Sequence, residues 1–395
     1  MLNKDALPSV GILGLIFSPF LTLISLIAAT YLALIFIIKP QEAKFIAMSK
    51  QTFKDHKAIK IAVAGSYGKT SFKEMLSTIL NEKFNVAVTP GNMNTSIAHA
   101  RFVKKLTGEE EIIVLEYGEE HPGDIQKFID VTWPEYGVIM GLAPNHLDYY
   151  KTLDVLANDL LRLRALKDQC FVNGDSKLLH NYIKEGDQVF SSSGVDGWSV
   201  KNTKVTVSGI SFNLERDKEI IRINSGLVGR HFIAPLAMAA ALAYKLGLSI
   251  KQIEAGVSKT KAFEHRLQPR NLGGATILDD TYNGNIEGMI AGLELLKELH
   301  AKKSIYVTPG LVDQGSETEN VHHQLAKKIA EVQPDLVVLM NNSATKIVEE
   351  ALDKLKYKGD VLIENDPLNF YQNLDKIVAA GDVVLLQNDW TDNYN

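Results

Sequence analysis

The sequence predicts an α/β protein with two mainly parallel-sheet domains behind an apolar N-terminal helix. Three observations carry that expectation. Apolar β-like runs alternate with helical patterns from Ile59 almost to the C-terminus, the rhythm of strands and covering helices in a parallel sheet. A short turn of small residues, Gly65 to Ser71, joins the first of those strands to a helix. From Ala6 to Ile38 the chain carries no charge.

That uncharged stretch exceeds the roughly 20 residues a membrane span needs. Ser18 and Pro19 read as N-cap and first helical residue, so Pro19 to Ile38 is expected to form one span. Residues 6–17 are then a shorter apolar lead-in or a re-entrant piece. No small-x-small site closes the run, which argues against a cleaved signal peptide. Lys39, Lys44, Lys50, Lys54, Lys57 and Lys60 follow, against only Glu42 and Asp55. This excess predicts a cytoplasmic location for what comes next. Residues 1–40 are read as a transmembrane anchor and 41–58 as a basic juxtamembrane linker or helix.

The remainder has a soluble profile. The 395 residues suffice for two or three domains, and 23% charged with 46% apolar residues is the composition of a folded chain. A net charge of −5 gives no reason to expect nucleic acid as a partner. Cys170 is the one cysteine, which excludes an intrachain disulfide framework and a cysteine-rich metal site.

Strands are expected at Ile59–Val63, Val86–Val88, Glu111–Leu115 and Tyr136–Met140. Helical patterns at Ser96–Lys105, Gly123–Val131 and Leu153–Leu163 separate them. Alternating segments between 187 and 224 suggest β-hairpins, and an alanine-rich helix from Ile233 to Leu246 closes this domain, assigned to 59–262. A second unit, 263–395, has expected strands at Thr276–Leu278, Ser304–Val307, Leu336–Leu339, Val361–Ile363 and Val383–Leu386. That order suits a small, Rossmann-like doubly wound domain.

The turn Gly65, Ser66, Tyr67, Gly68, Lys69, Thr70, Ser71 has the chemistry of a phosphate-binding loop. A strand that turns through small residues into a helix aims backbone N–H groups and the helix's positive end at one point. Lys69 is expected to reach the β- and γ-phosphates of ATP, and the Thr70 hydroxyl to sit on Mg²⁺. Val63 stands where the full pattern has its first glycine. Because Lys69 should point at phosphate rather than into a core, its removal is expected to leave stability nearly unchanged.

Further segments follow in a fixed order: Thr89-Pro-Gly-Asn-Met-Asn94, Leu115-Glu-Tyr-Gly118, His121-Pro-Gly-Asp124, Asn145-His-Leu-Asp148, His265-Arg-Leu-Gln-Pro-Arg270 and Asp279-Asp-Thr-Tyr-Asn-Gly-Asn285. Together with the phosphate loop, their order over about residues 59–390 resembles the Mur ligase family. The Thr-Pro-Gly-Asn, His-Pro-Gly and Leu-Gln-Pro elements look most like its D-alanyl-D-alanine-adding branch. The resemblance implies an ATP-dependent carboxylate–amine ligase of cell-wall precursor synthesis that works through an acyl phosphate. It implies Lys69, Glu116, His146 and Arg266 as catalytic residues, with Thr70, Glu116 and His146 on Mg²⁺. Arg266 and Asp280 match positions that close the second domain over the nucleotide, and His231 matches the adenine side. Asn92, Asn94 and Asn283 are candidates for the substrate cleft, although Pro-Gly-Asn turns account for such asparagines almost as well. Asn285 reads better as a helix N-cap.

The departures are specific. An apolar segment and a short linker stand where the family has a uridine-nucleotide-binding domain. Asn158, Asp159 and Leu160 stand where it has a carbamylated lysine. The adenine-side motif is reduced to His231 within Gly229–Pro235, and the chain ends in Leu386-Gln-Asn-Asp-Trp390. Two rival expectations remain. One is a ligase acting on a lipid-linked or polymeric acid such as a poly-γ-glutamate-like chain. The other is a non-catalytic ATP-binding scaffold.

Overall fold

The computed structural model describes residues 6–388 apart from Asn92, Asn145, Phe263, Asn283, 312–313 and 315–316, with side chains from Phe17 onward. Asn92 and Asn283, both substrate-cleft candidates, therefore lie outside the described residues.

The apolar stretch is one helix, α1 (Ala6–Ala33), continued by a π-helical turn (Leu34–Ile38) into α2 (Lys39–Asp55). Pro19 lies inside α1 rather than at its start, which corrects the boundary expected from Ser18-Pro19. An apolar helix tolerates the lost N–H when nearby side chains take up freed carbonyls. Thr22 does so, its hydroxyl donating to the carbonyls of Ser18 and Pro19 at 2.9 and 2.8 Å. The helix is long and apolar enough to cross a membrane, and the most apolar window of the span Phe17–Asp55 has no residue buried against the rest of the chain.

Residues 41–58 take the helical alternative. Most of them form α2, which packs on the first domain through Phe53 and Ser49, both buried, and through Ile46. Lys104 sits 3.8 Å from the Phe45 ring centroid, and Lys50 and Lys54 flank the exposed ring of Trp133.

The first domain is a ten-stranded sheet in the order β10-β9-β8-β7-β6-β5-β4-β1-β3-β2. Its parallel half comprises β1 (Ile59–Ala64), β2 (Val86–Val88), β3 (Ile112–Glu116), β4 (Tyr136–Ile139), β5 (Cys170–Asn173) and β6 (Gln188–Ser191). The antiparallel half is β7 (Gly194–Val195), β8 (Trp198–Thr206), β9 (Gly209–Arg216) and β10 (Glu219–Ser225), the meander expected from the alternating segments. On one face lie α3 (Lys69–Leu80), the alanine-rich α9 (Ile233–Lys245) and α10 (Ile250–Ser258). On the other lie α2, α4 (Ser96–Val103), α5 (Asp124–Thr132), the short α6 (Leu147–Tyr150) and α7 (Leu153–Leu160). A short α8 (Lys177–His180) follows β5.

The second domain is a six-stranded sheet, β11-β12-β16-β13-β14-β15. Here β12 (Ala275–Asp280), β13 (Ser304–Thr308), β14 (Leu336–Met340), β15 (Asp360–Glu364) and β16 (Val383–Gln387) are parallel, and β11 (Gln268–Leu272) is an antiparallel edge. One face is covered by α11 (Ile286–Glu298), α12 (Thr318–Val332) and α13 (Thr345–Lys354). The other carries α14 (Pro367–Gln372) and α15 (Leu374–Ile377). Asn285 caps α11, its side chain accepting from Gly288 N at 2.9 Å, as expected.

Candidate active site

The phosphate loop is shaped by two glycines with no substitute. Gly65 has φ +135°, and a Cβ on it would come within 2.8 Å of Gly141 N, where the β4 loop crosses. Ser66 N donates to Gly141 O at 2.9 Å and fixes that crossing. Gly68, at φ +77°, takes the left-handed conformation that starts α3 at Lys69. The first amides of α3 have no intrahelical acceptor, so the loop presents donors and a positive helix end.

Tyr67 closes the loop from above. Its ring covers Gly141 so tightly that a Cβ there would overlap it, and its hydroxyl donates to Ser176 Oγ at 2.9 Å. The phenol also meets Glu287, in the first turn of α11, so this one side chain touches both domains. Burial raises the Glu287 carboxyl above its ordinary range.

Lys69 leaves the loop from the start of α3, and its ammonium donates to Glu119 Oε2 at 2.8 Å. Glu119 lies beyond the end of β3, almost fully buried. Burial raises its carboxyl, against the opposing pull of Lys69 and His146. One turn further along α3, Lys73 is fully buried and lies 3.1 Å from Glu116 Oε2. Two carbonyls, of Thr89 and Gly91, also hold Lys73 at 2.7 Å each. Glu116 ends β3 in a cradle of its own. Its N–H donates to Thr89 Oγ1 at 3.0 Å, and its carbonyl contacts His99 Nε2 at 2.8 Å.

Asn94 donates to Glu116 Oε1 at 3.3 Å, and its carbonyl accepts from Gly118 N at 2.9 Å. It therefore braces the Glu116 loop. Thr70 is half-buried, and its hydroxyl makes no hydrogen bond among the described residues. His146 is exposed, in the left-handed conformation that opens α6, and the field of its imidazole reaches Glu119. No three His, Cys, Asp or Glu side chains converge into a metal cluster among the described residues. Asp159, in the stretch that lacks the expected lysine, is buried and fully engaged. It accepts from Gly123 N and Tyr150 Oη at 3.1 and 3.0 Å and from Arg162 Nε at 2.8 Å.

Between the domains lies a cavity of about 370 Å³. Tyr67, Gly68, Ser71, Phe72, Met140 and His231 line it from the first domain, and Arg266, Asp280, Glu287 and Asn388 from the second. Arg266 stacks over Tyr282 at 4.6 Å. Asp280, at the end of β12, accepts from Leu267 N at 3.2 Å and from Gln387 Nε2 at 2.8 Å. Burial pushes its carboxyl up to about 6, against the opposing pull of Gln387, the Leu267 amide and Arg266. The structure brings Gly68, Ser71, Tyr67, His231, Arg266 and Asp280 to one cavity, while Lys69, Thr70, Glu116 and His146 are not among its lining residues. Sequence reasoning did not single out Glu119, Lys73, Ser176, Glu287 and Gln387. Of these only Lys73 carried a signal, four residues after Lys69 and so on the same helix face.

The family model of the Mur ligase middle domain matches residues 63–243, and that of the Mur ligase glutamate ligase domain matches residues 265–387. The chain belongs to the Mur ligase family. It is 30% identical over 276 residues to the UDP-N-acetylmuramoyl-tripeptide–D-alanyl-D-alanine ligase of Escherichia coli, an alignment covering 68% of this chain and 61% of the relative. The chain thus spans about three-fifths of that relative's length. Its fold is that of MurF from Acinetobacter baumannii, with a TM-score of 0.73 at 20% identity over 89% of this chain and 79% of the other. MurF from Thermotoga maritima, solved in complex with ADP, gives a TM-score of 0.74 at 22% identity over 88% and 80%.

Proposed function

We propose that this Mur ligase family member is an ATP-dependent carboxylate–amine ligase that joins D-alanyl-D-alanine to a muramyl-tripeptide in cell-wall precursor synthesis. The observation that carries the reading is one cavity lined by Tyr67, Gly68 and Ser71 of the phosphate loop on one side and by Arg266 and Asp280 on the other. The names of the relatives supply the acid and the amine. The substrate carboxylate attacks the γ-phosphorus of ATP, the bond to ADP breaks, and an acyl phosphate forms. The amine then attacks the acyl carbon, phosphate leaves, and the amine gives up a proton to yield the amide.

Transfer of a phosphoryl group between two anions calls for cations and fixed donors rather than a protein nucleophile. The loop amides and Lys69 would hold the β- and γ-phosphates, and Arg266 would approach them from the second domain. His231 and the ring of Tyr67 would flank the base, and Asp280 the ribose or γ-phosphate region. Asn92, Asn94 and Asn283 remain the candidates for the acid's side of the cleft. Mg²⁺ suits the donors present: among the described residues the Thr70 hydroxyl makes no hydrogen bond and Glu116 Oε2 accepts none, although Lys73 lies 3.1 Å from it. Thr70, Glu116 and His146 would hold the ion, which when bound neutralises phosphate charge.

We further propose that α1 anchors the protein in a membrane, with both domains on the cytoplasmic side. Exposure of nearly all the large apolar side chains over residues 17–38, from Leu34 at 37% to Phe36 at 71%, supports lipid rather than a protein core as their surroundings. The acid we favour is the soluble nucleotide-linked tripeptide for which the relatives are named. Purified full-length protein in detergent, given Mg²⁺-ATP, D-alanyl-D-alanine and that tripeptide, should release phosphate and form the amide seen by mass spectrometry. Turnover only with a lipid-linked or polymeric acid would replace the substrate assignment, and ATP binding without any turnover would favour the scaffold.

A further inference from the structure

Two lysines one turn apart on α3 each face a carboxylate from the end of β3, but the two pairs differ in kind. Lys73 is fully buried and held by Glu116 and two backbone carbonyls, a fixed strut. Lys69 stands at the rim, 13% exposed, and pairs with Glu119, whose side chain is 2% exposed. Among the described residues Lys69 is the one cation in ion-pair contact with Glu119. A buried carboxylate deprived of its ion-pair partner is costly, so it holds what it has. The loop that should receive phosphate therefore already has an anion on its lysine.

We propose, on the reading of this loop as an ATP site, that Glu119 is a positioning residue that occupies Lys69 in the empty loop and competes with the nucleotide's β- and γ-phosphates for it. One ammonium cannot keep two anions at full strength. Entry of a polyphosphate must loosen the 2.8 Å contact, and the negative charge of Glu119 opposes that entry. Adenosine, which has no phosphate, does not meet this opposition. The competition makes the loop selective for ligands with enough negative charge to win the lysine, and it weakens binding of single anions such as inorganic phosphate.

The test is calorimetric titration of the full-length protein in detergent with adenosine, ADP and a non-hydrolysable ATP analogue. Glu119→Gln keeps the shape and removes the charge. It should tighten ADP and the ATP analogue by roughly tenfold, the scale of one close charge pair, and leave adenosine unchanged. Glu119→Asp, which keeps the charge, should shift these affinities far less and guards against a Gln variant that folds poorly. The KM for ATP should fall in Glu119→Gln without a matching rise in kcat. If Glu119→Gln binds the phosphorylated ligands no more tightly, or weakens all three ligands alike, Glu119 is a structural partner of Lys69 and the inference is overturned. Failure of the wild-type protein to bind any of the three would instead overturn the reading of the loop, and this inference with it.

Discussion

Asp280 provides the sharpest quantitative expectation. Its carboxyl has an ordinary value of 3.8 and is pushed up to about 6 in the fold, chiefly by burial. Between those values the folded protein keeps a proton that the unfolded chain has released. Stability contributed by this group therefore falls as pH rises through that window, and the loss is complete above the folded value. A shift of about two units amounts to a few kcal/mol in all, of which roughly 1 kcal/mol falls between pH 5 and 7.5. Asp280→Asn removes the titration at little cost in contacts. Its carbonyl oxygen still accepts from Leu267 N, and its amide needs an acceptor where Gln387 Nε2 now donates. Among the described residues Gln387 Oε1 has no hydrogen-bond partner, so turning that amide over supplies one, at the expense of the 3.3 Å bond from Gln387 Nε2 to Gly288 O. Urea titrations at pH 5 and 7.5 should show wild type losing roughly 1 kcal/mol relative to Asp280→Asn across that interval. The carbon-13 shift of the Asp280 carboxyl should titrate near the same value. A stability difference that stays flat with pH, or a carboxyl that titrates with ordinary aspartates, would refute the reasoning.

Three further outcomes are expected. Lys69→Ala should lower nucleotide turnover by about two decades or more. Contrary to the expectation from sequence, it should also destabilise the fold by about 3 kcal/mol, since Glu119 loses its counter-ion. Lys69→Ala combined with Glu119→Gln should recover the melting temperature but not the turnover. Glu116→Gln should raise the Mg²⁺ concentration needed for half-maximal rate, and an unchanged Mg²⁺ titration would remove Glu116 from the metal site. Deletion of residues 1–38 should leave a folded, soluble protein by circular dichroism. Deletion to residue 58 should not, because it strips the fully buried Phe53, a loss of about 3–5 kcal/mol by itself.

Strands β1, β3, β12, β13, β14 and β16 were legible because each is dominated by a short apolar run between turn residues, as strands covered on both faces are. β11 was not, since Gln268-Pro-Arg-Asn-Leu272 is polar and contains a proline. It survives only as the antiparallel edge beside β12, where a missing N–H costs least. Helix α10 was passed over although Ser249 and Gln252 form a capping box at its start. Pro19 misled because its local meaning, a helix start, is overridden within a long apolar helix. Of the cavity-lining residues, Tyr67, Gly68 and Ser71 of the loop, His231, Arg266 and Asp280 had been singled out by motif order. Glu119 on Lys69 and Glu287 on Tyr67 were not. These pairings join segments far apart in the chain, and no local pattern records them.

The junction between α1 and α2 has a mechanical consequence. Because α2 packs along the first domain instead of trailing from it, the domain cannot swivel as a weight on a string would. A helix of 17 residues rises about 25 Å, so given the proposed anchoring the cleft is mounted on a post of set length. Such a mounting turns a three-dimensional search into a sweep at one altitude above the lipid. An acceptor is then sorted by how far its reactive carboxyl stands off the surface as well as by its chemistry.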